Sequence, residues 1–272
     1  MSSSNVVRLV FGLVPASQEG GEGSSFDELA GWFRANVDLE IERKAWPTYR
    51  GLAESVREGK SDVAWLPPVV YAWLAEAVSP IGSIVRGGST TYSAALVARE
   101  DSSVRTLAEL SGKRAGWVDP WSAAGYVVPR IELARAGIDP AATFETETFY
   151  GSHRDVLRAL ARGDCDVAGT YARTQEEGSA PEGAWSELEG VRVRVVAMFG
   201  SIPSDVIAVR RNLAPAQYER VLEAFRRASA DEAARPLLRA VFGGDELRCG
   251  IEPGHDALRS AFERATANGL FD

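Results

Sequence analysis

The stretch that decides the fold occurs twice in the sequence. Residues 49–64 read YRGLAESVREGKSDVA and residues 153–168 read HRDVLRALARGDCDVA, and the two align without a gap at an offset of 104 positions. Each copy predicts an amphipathic helix ended by a glycine, Gly59 or Gly163, and then a buried strand. The repeat indicates one helix–turn–strand unit used in each of two similar lobes. Helix–glycine–strand units can also converge on this pattern without a duplication.

Helices and strands alternate on both sides of the repeat. Strands are predicted at residues 6–14, 39–42, 62–66, 94–98, 114–118, 144–149, 166–170, 191–199 and 206–209. Helices are predicted at residues 25–36, 48–58, 122–136, 153–162, 215–230, 231–242 and 256–268. This alternation predicts an α/β fold of two Rossmann-like lobes with mixed, mostly parallel sheets, joined by two crossovers.

The domain prediction places residues 1–98 and 206–272 in lobe 1 and residues 99–205 in lobe 2, with a ligand cleft between them. In an open parallel sheet, ligands bind beyond the carboxyl ends of the strands and near helix amino termini. Tyr49 and His153 begin the two repeated helices, so we expect both to face the ligand.

Composition and charge exclude several classes of protein. The chain has 272 residues, and 30 basic against 38 acidic side chains give a net charge of −8, which disfavours non-specific nucleic-acid binding. No run approaches the roughly 20 apolar residues of a membrane span. The amino terminus lacks the features of a signal peptide, which predicts a cytoplasmic protein, or a periplasmic or cell-surface one if the chain is a trimmed mature form.

Signals for catalysis are weak. His153 and His255 are the only histidines, and neither has a Cys, Asp or Glu at metal-ligand spacing. No nucleophile elbow, Walker loop or dinucleotide fingerprint is present. Cys165 lies at a strand start, where a small buried side chain is expected. We therefore expect no catalytic residue, no metal and no cofactor.

A stronger signal is the segment 119–126, DPWSAAGY, in which a strand leads through a Pro turn into a small-residue helix start. Ser122 is the expected N-cap of that helix. Free backbone N–H groups at such a terminus attract an anion, and the helix dipole adds to this attraction. A serine that only caps the helix would produce the same pattern.

This segment resembles the anion-binding loop of the phosphonate-binding family of ABC-transporter solute receptors, which typically reads D-P-x-S-T-S-G-Y. Five further landmarks of that family occur in its order, at residues 62–68 (DVAWLPP), 91–97 (TYSAALV), 107–114 (LAELSGKR), 150–153 (YGSH) and 202–205 (IPSD). The resemblance covers about residues 6–230. It implies the type 2 periplasmic-binding-protein fold.

The resemblance also implies a set of ligand contacts, to which Trp65 and Trp121 are added because they lie within the segments 62–68 and 119–126. The predicted ligand-binding residues are Tyr49, Trp65, Tyr92, Trp121, Ser122, Ala123, Ala124, His153 and Asp205. Hydroxyl and N–H groups are expected to hold the phosphonate oxygens, and carboxylates such as Asp205 to meet a ligand amine. The chain departs from the family where Ser-Thr-Ser becomes Ser122-Ala123-Ala124, which removes two hydroxyl donors. Arg173 also lies near the place where relatives often carry an acid.

The expected function is reversible binding of a small organic anion, phosphonate-like or another compact acid. The protein would act as the solute receptor of an ABC-type transporter or as a related sensor. Its expected partners are the ligand and an ABC permease or sensor protein, with neither nucleic acid nor membrane insertion, and it is expected to be a monomer. The alternative is a cytoplasmic enzyme on the same fold, of the menaquinone-precursor lyase type, although none of the motifs of such enzymes is visible.

Overall fold

The computed structural model describes residues 7–15, 23–174 and 180–271. The described chain forms two compact units: residues 7–15, 23–90 and 204–255 belong to unit 1, and residues 91–174, 180–203 and 256–271 to unit 2. In the described parts, the chain passes from one unit to the other after Thr90, Pro203 and His255.

The elements are numbered along the chain. The strands are β1 (Val7–Leu13), β2 (Leu39–Ala45), β3 (Val63–Leu66), β4 (Val78–Val85), β5 (Thr91–Arg99), β6 (Lys113–Trp117), β7 (Phe144–Phe149), β8 (Val167–Arg173), β9 (Glu182–Gly183), β10 (Val193–Pro203), β11 (Val206–Arg210) and β12 (Glu246–Cys249). The α-helices are α1 (Gly23–Val37), α2 (Tyr49–Arg57), α3 (Pro68–Leu74), α4 (Val128–Arg135), α5 (Pro140–Thr143), α6 (His153–Arg162), α7 (Pro215–Ala230), α8 (Arg235–Phe242) and α9 (Gly254–Ala267). A π-helical turn, Ala123–Val127, leads directly into α4.

Unit 1 contains a mixed sheet in the order β12-β4-β11-β3-β1-β2. β1 pairs in parallel with β2 and β3, whereas β11 runs antiparallel to β3 and β4, and β12 antiparallel to β4. Its core contains a group of phenylalanines. The ring centroids of Phe11 and Phe26 are 5.2 Å apart, as are those of Phe33 and Phe225. These rings pack α1 and α7 against the sheet, and burial of their apolar area is the main stabilising contribution of the unit.

Unit 2 contains a second mixed sheet, in the order β10-β5-β8-β6-β7, with β9 paired to β8. β6 is parallel to β7 and β8, and β5 is antiparallel to β8 and β10. The Trp117 ring is fully buried, with Tyr126 at 5.5 Å and Phe144 at 5.6 Å. β6 therefore lies in the interior of this unit. The loop after β6 and the loop after the neighbouring β7 both begin at this well-packed part of the sheet.

The predicted α/β class with mixed sheets is confirmed, but the expected excess of parallel pairing is not. Three of the five strand pairings in each sheet are antiparallel. Strands such as β11 enter the sheet after a crossover from the other unit and run against their neighbours. The sequence patterns also missed α3, α5, β4, β9 and β12. In β4, Pro80 and Gly82 look like turn residues, yet Pro80 sits next to a register shift in the β4–β11 pairing, where the ladder tolerates a proline.

The units differ from the predicted lobes at two boundaries. β5 belongs to unit 2 because it pairs with β8 and β10. The last helix was expected in lobe 1, but residues 256–271 belong to unit 2. There the carbonyl of Leu270 accepts a hydrogen bond from Nε of Arg130 at 3.1 Å, and Phe271 packs 5.8 Å from Tyr126. Composition near the terminus carries no sign of these two contacts.

The internal repeat is present in the structure and includes the strand before each helix. β1 and β3 pair in parallel at Gly12↔Ala64, and β6 and β8 pair in the same way at Gly116↔Ala168, with each residue 104 positions from its counterpart. Both glycines are required by close packing. A Cβ on Gly116 would lie 2.7 Å from Sγ of Cys165, which is shorter than a van der Waals contact allows.

The aspartates of the repeat perform the same task in both units. Oδ2 of Asp62 accepts the N–H of Val10 at 2.9 Å, and Oδ2 of Asp166 accepts the N–H of Arg114 at 3.0 Å. Each carboxylate also forms an ion pair, Asp62 with Arg210 and Asp166 with Arg114, both at 2.8 Å. The hydrogen bond from the Arg114 side chain lowers the pKa of Asp166 below its ordinary value. These aspartates therefore fasten each helix–turn–strand unit to the strand beside it.

Candidate ligand-binding residues

Tyr49 and His153 occupy equivalent positions in the two units. Each is the first residue of its helix, after an N-cap with extended backbone, Thr48 or Ser152. The Thr48 hydroxyl accepts a hydrogen bond from an N–H in the first turn at 3.0 Å, and the Ser152 hydroxyl accepts one from Asp155 at 3.0 Å. Capping fixes the start of both helices, so the orientations of Tyr49 and His153 are set by backbone geometry. Both side chains are half-buried.

His153 belongs to a small polar and aromatic cluster in unit 2. Its Nδ1 lies 3.0 Å from Oγ1 of the buried Thr170, and its ring packs edge-on against Tyr171 at 5.0 Å. The guanidinium of Arg173 stacks over the same Tyr171 ring, 4.6 Å from the ring centroid. Burial raises the pKa of the Tyr171 phenol, so this ring remains neutral near pH 7. The cluster holds the imidazole in place, and Arg173 contributes a cation on the same aromatic ring.

The segment from Asp119 to Ala124 turns back on itself before the helix starts. Oδ1 of Asp119 accepts the N–H of Trp121 at 2.8 Å, and the Ser122 hydroxyl accepts the N–H of Gly125 at 3.1 Å. The Ser122 hydroxyl is therefore engaged as a cap. In the described part of the chain, the N–H groups of Ala123 and Ala124 have no protein acceptor, although both residues are buried. Two adjacent N–H groups at a helix start form an anion-binding arrangement.

This helix start and the start of α6 flank the same strand end. Val118, directly after β6, donates its N–H to the carbonyl of Gly125 at 3.3 Å and accepts the N–H of Gly151 at 2.8 Å. Close approach requires a glycine at 125, since a Cβ there would lie 2.3 Å from Cγ2 of Val118. The structure therefore brings the Ser122 segment and the His153 turn together at the carboxyl end of β6, as expected for an α/β sheet.

Tyr92 lies on β5 of the same unit and is half-buried, with Ile202 as its cross-strand partner on β10. Ser93 pairs with Ala172 of β8, so Tyr92 and Arg173 are the next residues along two neighbouring strands. Tyr92 therefore lies on the strand beside the one that carries the His153 cluster.

Two predicted contacts, Trp65 and Asp205, lie in unit 1 and are linked through Phe242. The Trp65 ring packs edge-on against Phe242 at 5.2 Å, and the carbonyl of Phe242 accepts two hydrogen bonds from Arg86, at 3.0 and 2.8 Å. Nη2 of Arg86 also forms an ion pair with Oδ2 of Asp205 at 2.5 Å. Trp65 is largely a core residue, as its apolar surroundings indicate. Its buried Nε1–H nevertheless has no hydrogen-bond partner among the described residues.

Arg86 is the important residue that the sequence did not reveal. It follows β4, a strand that the sequence pattern missed, and lies 119 positions from Asp205. Only the pairing of β4 with β11 brings the two side chains together.

A cavity of about 340 Å³ lies in unit 1, between the carboxyl ends of α2 and β11, and contains none of the predicted contacts. It is lined by Val56, Arg57, Ala77, Arg210, Arg211 and Asn212.

Cys165 and His255, the other side chains considered for catalysis, are both buried in the fold. Cys165 is 1% exposed, and burial raises the pKa of its thiol to about 12. His255 is buried, with both ring nitrogens 3.0 Å from backbone carbonyl oxygens. Over residues 7–15, 23–174 and 180–271, no three Cys, His, Asp or Glu side chains are grouped closely enough to hold a metal ion. No helix in these ranges has the length and hydropathy to cross a membrane.

Solved structures share the fold of this chain. A binding-protein component of an ABC phosphonate transporter from Pseudomonas aeruginosa superposes with a TM-score of 0.81 and 20% identity, covering 98% of this chain and 89% of that chain. PhnD1 from Prochlorococcus marinus, solved in complex with methylphosphonate, gives a TM-score of 0.80 at 12% identity and covers 96% of this chain and 99% of its own. These likenesses define the class as the periplasmic-binding-protein fold.

Sequence similarity identifies the family. The family model described as ABC transporter, phosphonate, periplasmic substrate-binding protein matches residues 11–256, and the chain belongs to this family. A curated relative, the phosphate-import protein PhnD of Mycolicibacterium smegmatis, is 24% identical over 215 residues. That match covers 74% of this chain and 66% of the relative, slightly less than two thirds of the relative's length.

Proposed function

We propose that this chain is the ligand-binding component of an ABC-type uptake system, and that it binds a small organic oxyanion reversibly without transforming it. Family membership supports this role, because the family consists of transport substrate-binding proteins. The nine residues predicted from the sequence remain the proposed ligand contacts. The proposed protein partner is an ABC permease. The proposed location is the periplasm or the cell surface, where binding proteins of such transporters collect their ligands.

One observation carries the proposal for an anion. The buried N–H groups of Ala123 and Ala124 have no acceptor in the described chain, and they begin a helix that continues through α4. Buried backbone donors are nearly always satisfied, because each one left unpaired costs about 1–3 kcal/mol. An oxyanion would accept both hydrogen bonds and would gain from the helix dipole as well.

The surroundings of Cys165 and His255 support binding without a chemical reaction. The Cys165 thiol is buried and its pKa is raised to about 12, so it does not supply a thiolate near pH 7. The two ring nitrogens of His255 contact the carbonyls of Glu252 and Ser204, which leaves neither nitrogen to act as a base on a ligand. Turnover of a bound compound, followed by NMR, would contradict this proposal and favour an enzyme on the same fold.

A proline substitution tests the anion site. Ala123 is the first residue of its helix, where a proline is tolerated, and Ser122 has the extended φ of −74° and ψ of 117° that a following proline requires. Ala123→Pro therefore deletes one N–H with little change to the fold. We expect it to weaken methylphosphonate or phosphate binding about 10- to 100-fold in calorimetry, since one charge-assisted hydrogen bond contributes about 1.5–3 kcal/mol.

Ala123→Gly is the matched control, because it keeps the N–H while changing the same side chain. Circular dichroism should show equal folding of both variants. Equal affinity of Ala123→Pro and Ala123→Gly would remove the helix start from the binding site. Binding of neutral sugars alone by the wild-type protein would exclude an oxyanion receptor altogether.

A further inference from the structure

The carboxylate expected to meet a ligand amine is already paired. The side chains of Asp205 and Arg86 are 15% and 10% exposed, and Nη2 of Arg86 lies 2.5 Å from Oδ2 of Asp205. Such a pair, taken out of water and held at hydrogen-bond distance, is much stronger than a surface ion pair. The negative charge of Asp205 is therefore largely neutralised within unit 1.

Arg86 is held in place by more than the ion pair. Its Nε and Nη2 both donate to the carbonyl of Phe242, at 3.0 and 2.8 Å, at the end of α8. That helix ends at Gly243, whose φ of 70° makes it a left-handed C-cap. Arg86 therefore satisfies a helix-terminal carbonyl and Asp205 with one rigid guanidinium, and breaking the pair would leave a mostly buried cation without its counter-charge.

A second guanidinium lies beside candidate residues in unit 2. Arg173 stacks on the Tyr171 ring at 4.6 Å, and the same ring packs against His153 at 5.0 Å. Arg173 also follows Ala172, whose cross-strand partner Ser93 is adjacent to Tyr92. Arg173 and His153 therefore contact the same aromatic ring, in the unit that contains the Ser122 helix start.

An ammonium group and a carboxylate group would meet this distribution of charge very differently. A ligand ammonium beside Asp205 would approach the Arg86 guanidinium as closely as the carboxylate, so repulsion would offset the attraction. A carboxylate or second oxyanion would instead be attracted by the planar guanidinium of Arg173, which stacks on Tyr171 in the unit that contains the Ser122 helix start. We propose, building on the proposed function, that the ligand is an oxyanion without an ammonium group and that a second acidic group strengthens its binding.

Three phosphonates test the ligand class in the unaltered protein. Methylphosphonate has an uncharged tail, 2-aminoethylphosphonate an ammonium and phosphonoacetate a carboxylate. By calorimetry at pH 7.5 we expect 2-aminoethylphosphonate to bind at least about tenfold more weakly than methylphosphonate, and phosphonoacetate to bind more tightly than methylphosphonate. Binding of phosphonoacetate no tighter than that of methylphosphonate would refute the role of a second acidic group. Binding of 2-aminoethylphosphonate equal to or tighter than that of methylphosphonate would overturn the inference and leave the proposed function intact. Failure of all three to bind would reject both.

Variants assign the effect to the two arginines. Arg86→Met releases the Asp205 carboxylate and should raise the affinity for 2-aminoethylphosphonate relative to methylphosphonate about tenfold. Arg173→Gln lies at the end of β8 and is the second test if Arg86→Met fails to fold; it should lower the affinity for phosphonoacetate relative to methylphosphonate. Arg210→Met is the control, because it breaks an ion pair with Asp62 at the other end of β11. A control that shifts ligand preference as much as the other two variants would show a general charge effect and refute the assignment.

Discussion

Nε2 of His255 lies 3.0 Å from the carbonyl oxygen of Ser204, and both residues belong to unit 1 and border a place where the chain passes to or from unit 2. The N–H of Ser204 donates to the carbonyl of Thr90 at 2.7 Å. Among the crossings that the described residues include, Thr90 precedes the first, Ser204 follows the second and His255 precedes the third. One chain of hydrogen bonds thus fastens all three of these segments within unit 1.

We expect His255→Ala to lower the free energy of unfolding by about 2–4 kcal/mol, because it removes a buried ring and leaves the Ser204 carbonyl unpaired. Urea denaturation followed by circular dichroism measures this change. His255→Gln, which can still donate one hydrogen bond, should recover part of the loss. If both variants unfold at the wild-type urea concentration, the imidazole has no stabilising role at the crossings.

Restoring the hydroxyls of the family loop should strengthen oxyanion binding. The double substitution Ala123→Thr and Ala124→Ser places two donors beside the two N–H groups at the helix start. Each added hydrogen bond to a charged oxygen contributes about 1.5–3 kcal/mol, so methylphosphonate affinity should rise by about two to four decades. Calorimetry gives the answer directly. Unchanged affinity would mean that the side chains at 123 and 124 do not face the ligand.

The close packing of the repeat predicts a large difference between two glycine substitutions. Gly116→Ala would put a Cβ 2.7 Å from Sγ of Cys165 and 2.9 Å from Cγ2 of Val156, and should cost about 1–3 kcal/mol of stability. Gly31→Ala in α1 has no atom within 4 Å of the new Cβ and should stabilise by about 0.5–1 kcal/mol. Thermal denaturation compares the two. Similar melting temperatures would contradict the packing of β6 against α6.

The two cysteines should differ in reactivity. Cys249 is exposed, whereas Cys165 is buried and burial raises its pKa to about 12. Only the thiolate reacts, so at pH 8 a disulfide reagent should label Cys249 quickly and Cys165 only on unfolding. Cys249→Ser should then leave almost no fast-reacting thiol. Rapid labelling of that variant in native buffer would show that Cys165 is accessible.

Much of the fold could be predicted from local sequence. β7, α6 and α7 have the bounds expected from hydrophobic period and caps, since Ser152, Gly163 and Pro215 act within a turn of their own position. The repeat was visible because each copy uses the same turn glycine and the same aspartate for the same local task. The family landmarks likewise gave the class of protein, because they are short motifs whose order survives where overall identity is low.

Part of the candidate site could not be predicted in this way. The sequence located the Ser122 helix start and the His153 turn, but their meeting at β6 depends on hydrogen bonds made by Val118 in the assembled sheet. The family resemblance implied that the Asp205 carboxylate meets a ligand amine. Its pairing with Arg86 depends on two antiparallel strands whose register no local pattern contains.

The unit duplicated at residues 49–64 and 153–168 determined by itself the α/β class, the two similar helix starts and the glycine and aspartate that fasten each one. These features depend on interactions within a few residues or on motifs repeated in order. Only the tertiary structure decided which strands run antiparallel, which unit holds the last helix and which charges remain available at the candidate site. Those outcomes depend on contacts between residues about a hundred positions apart, such as Arg86 and Asp205, and long-range pairing is specified by packing of the whole sheet.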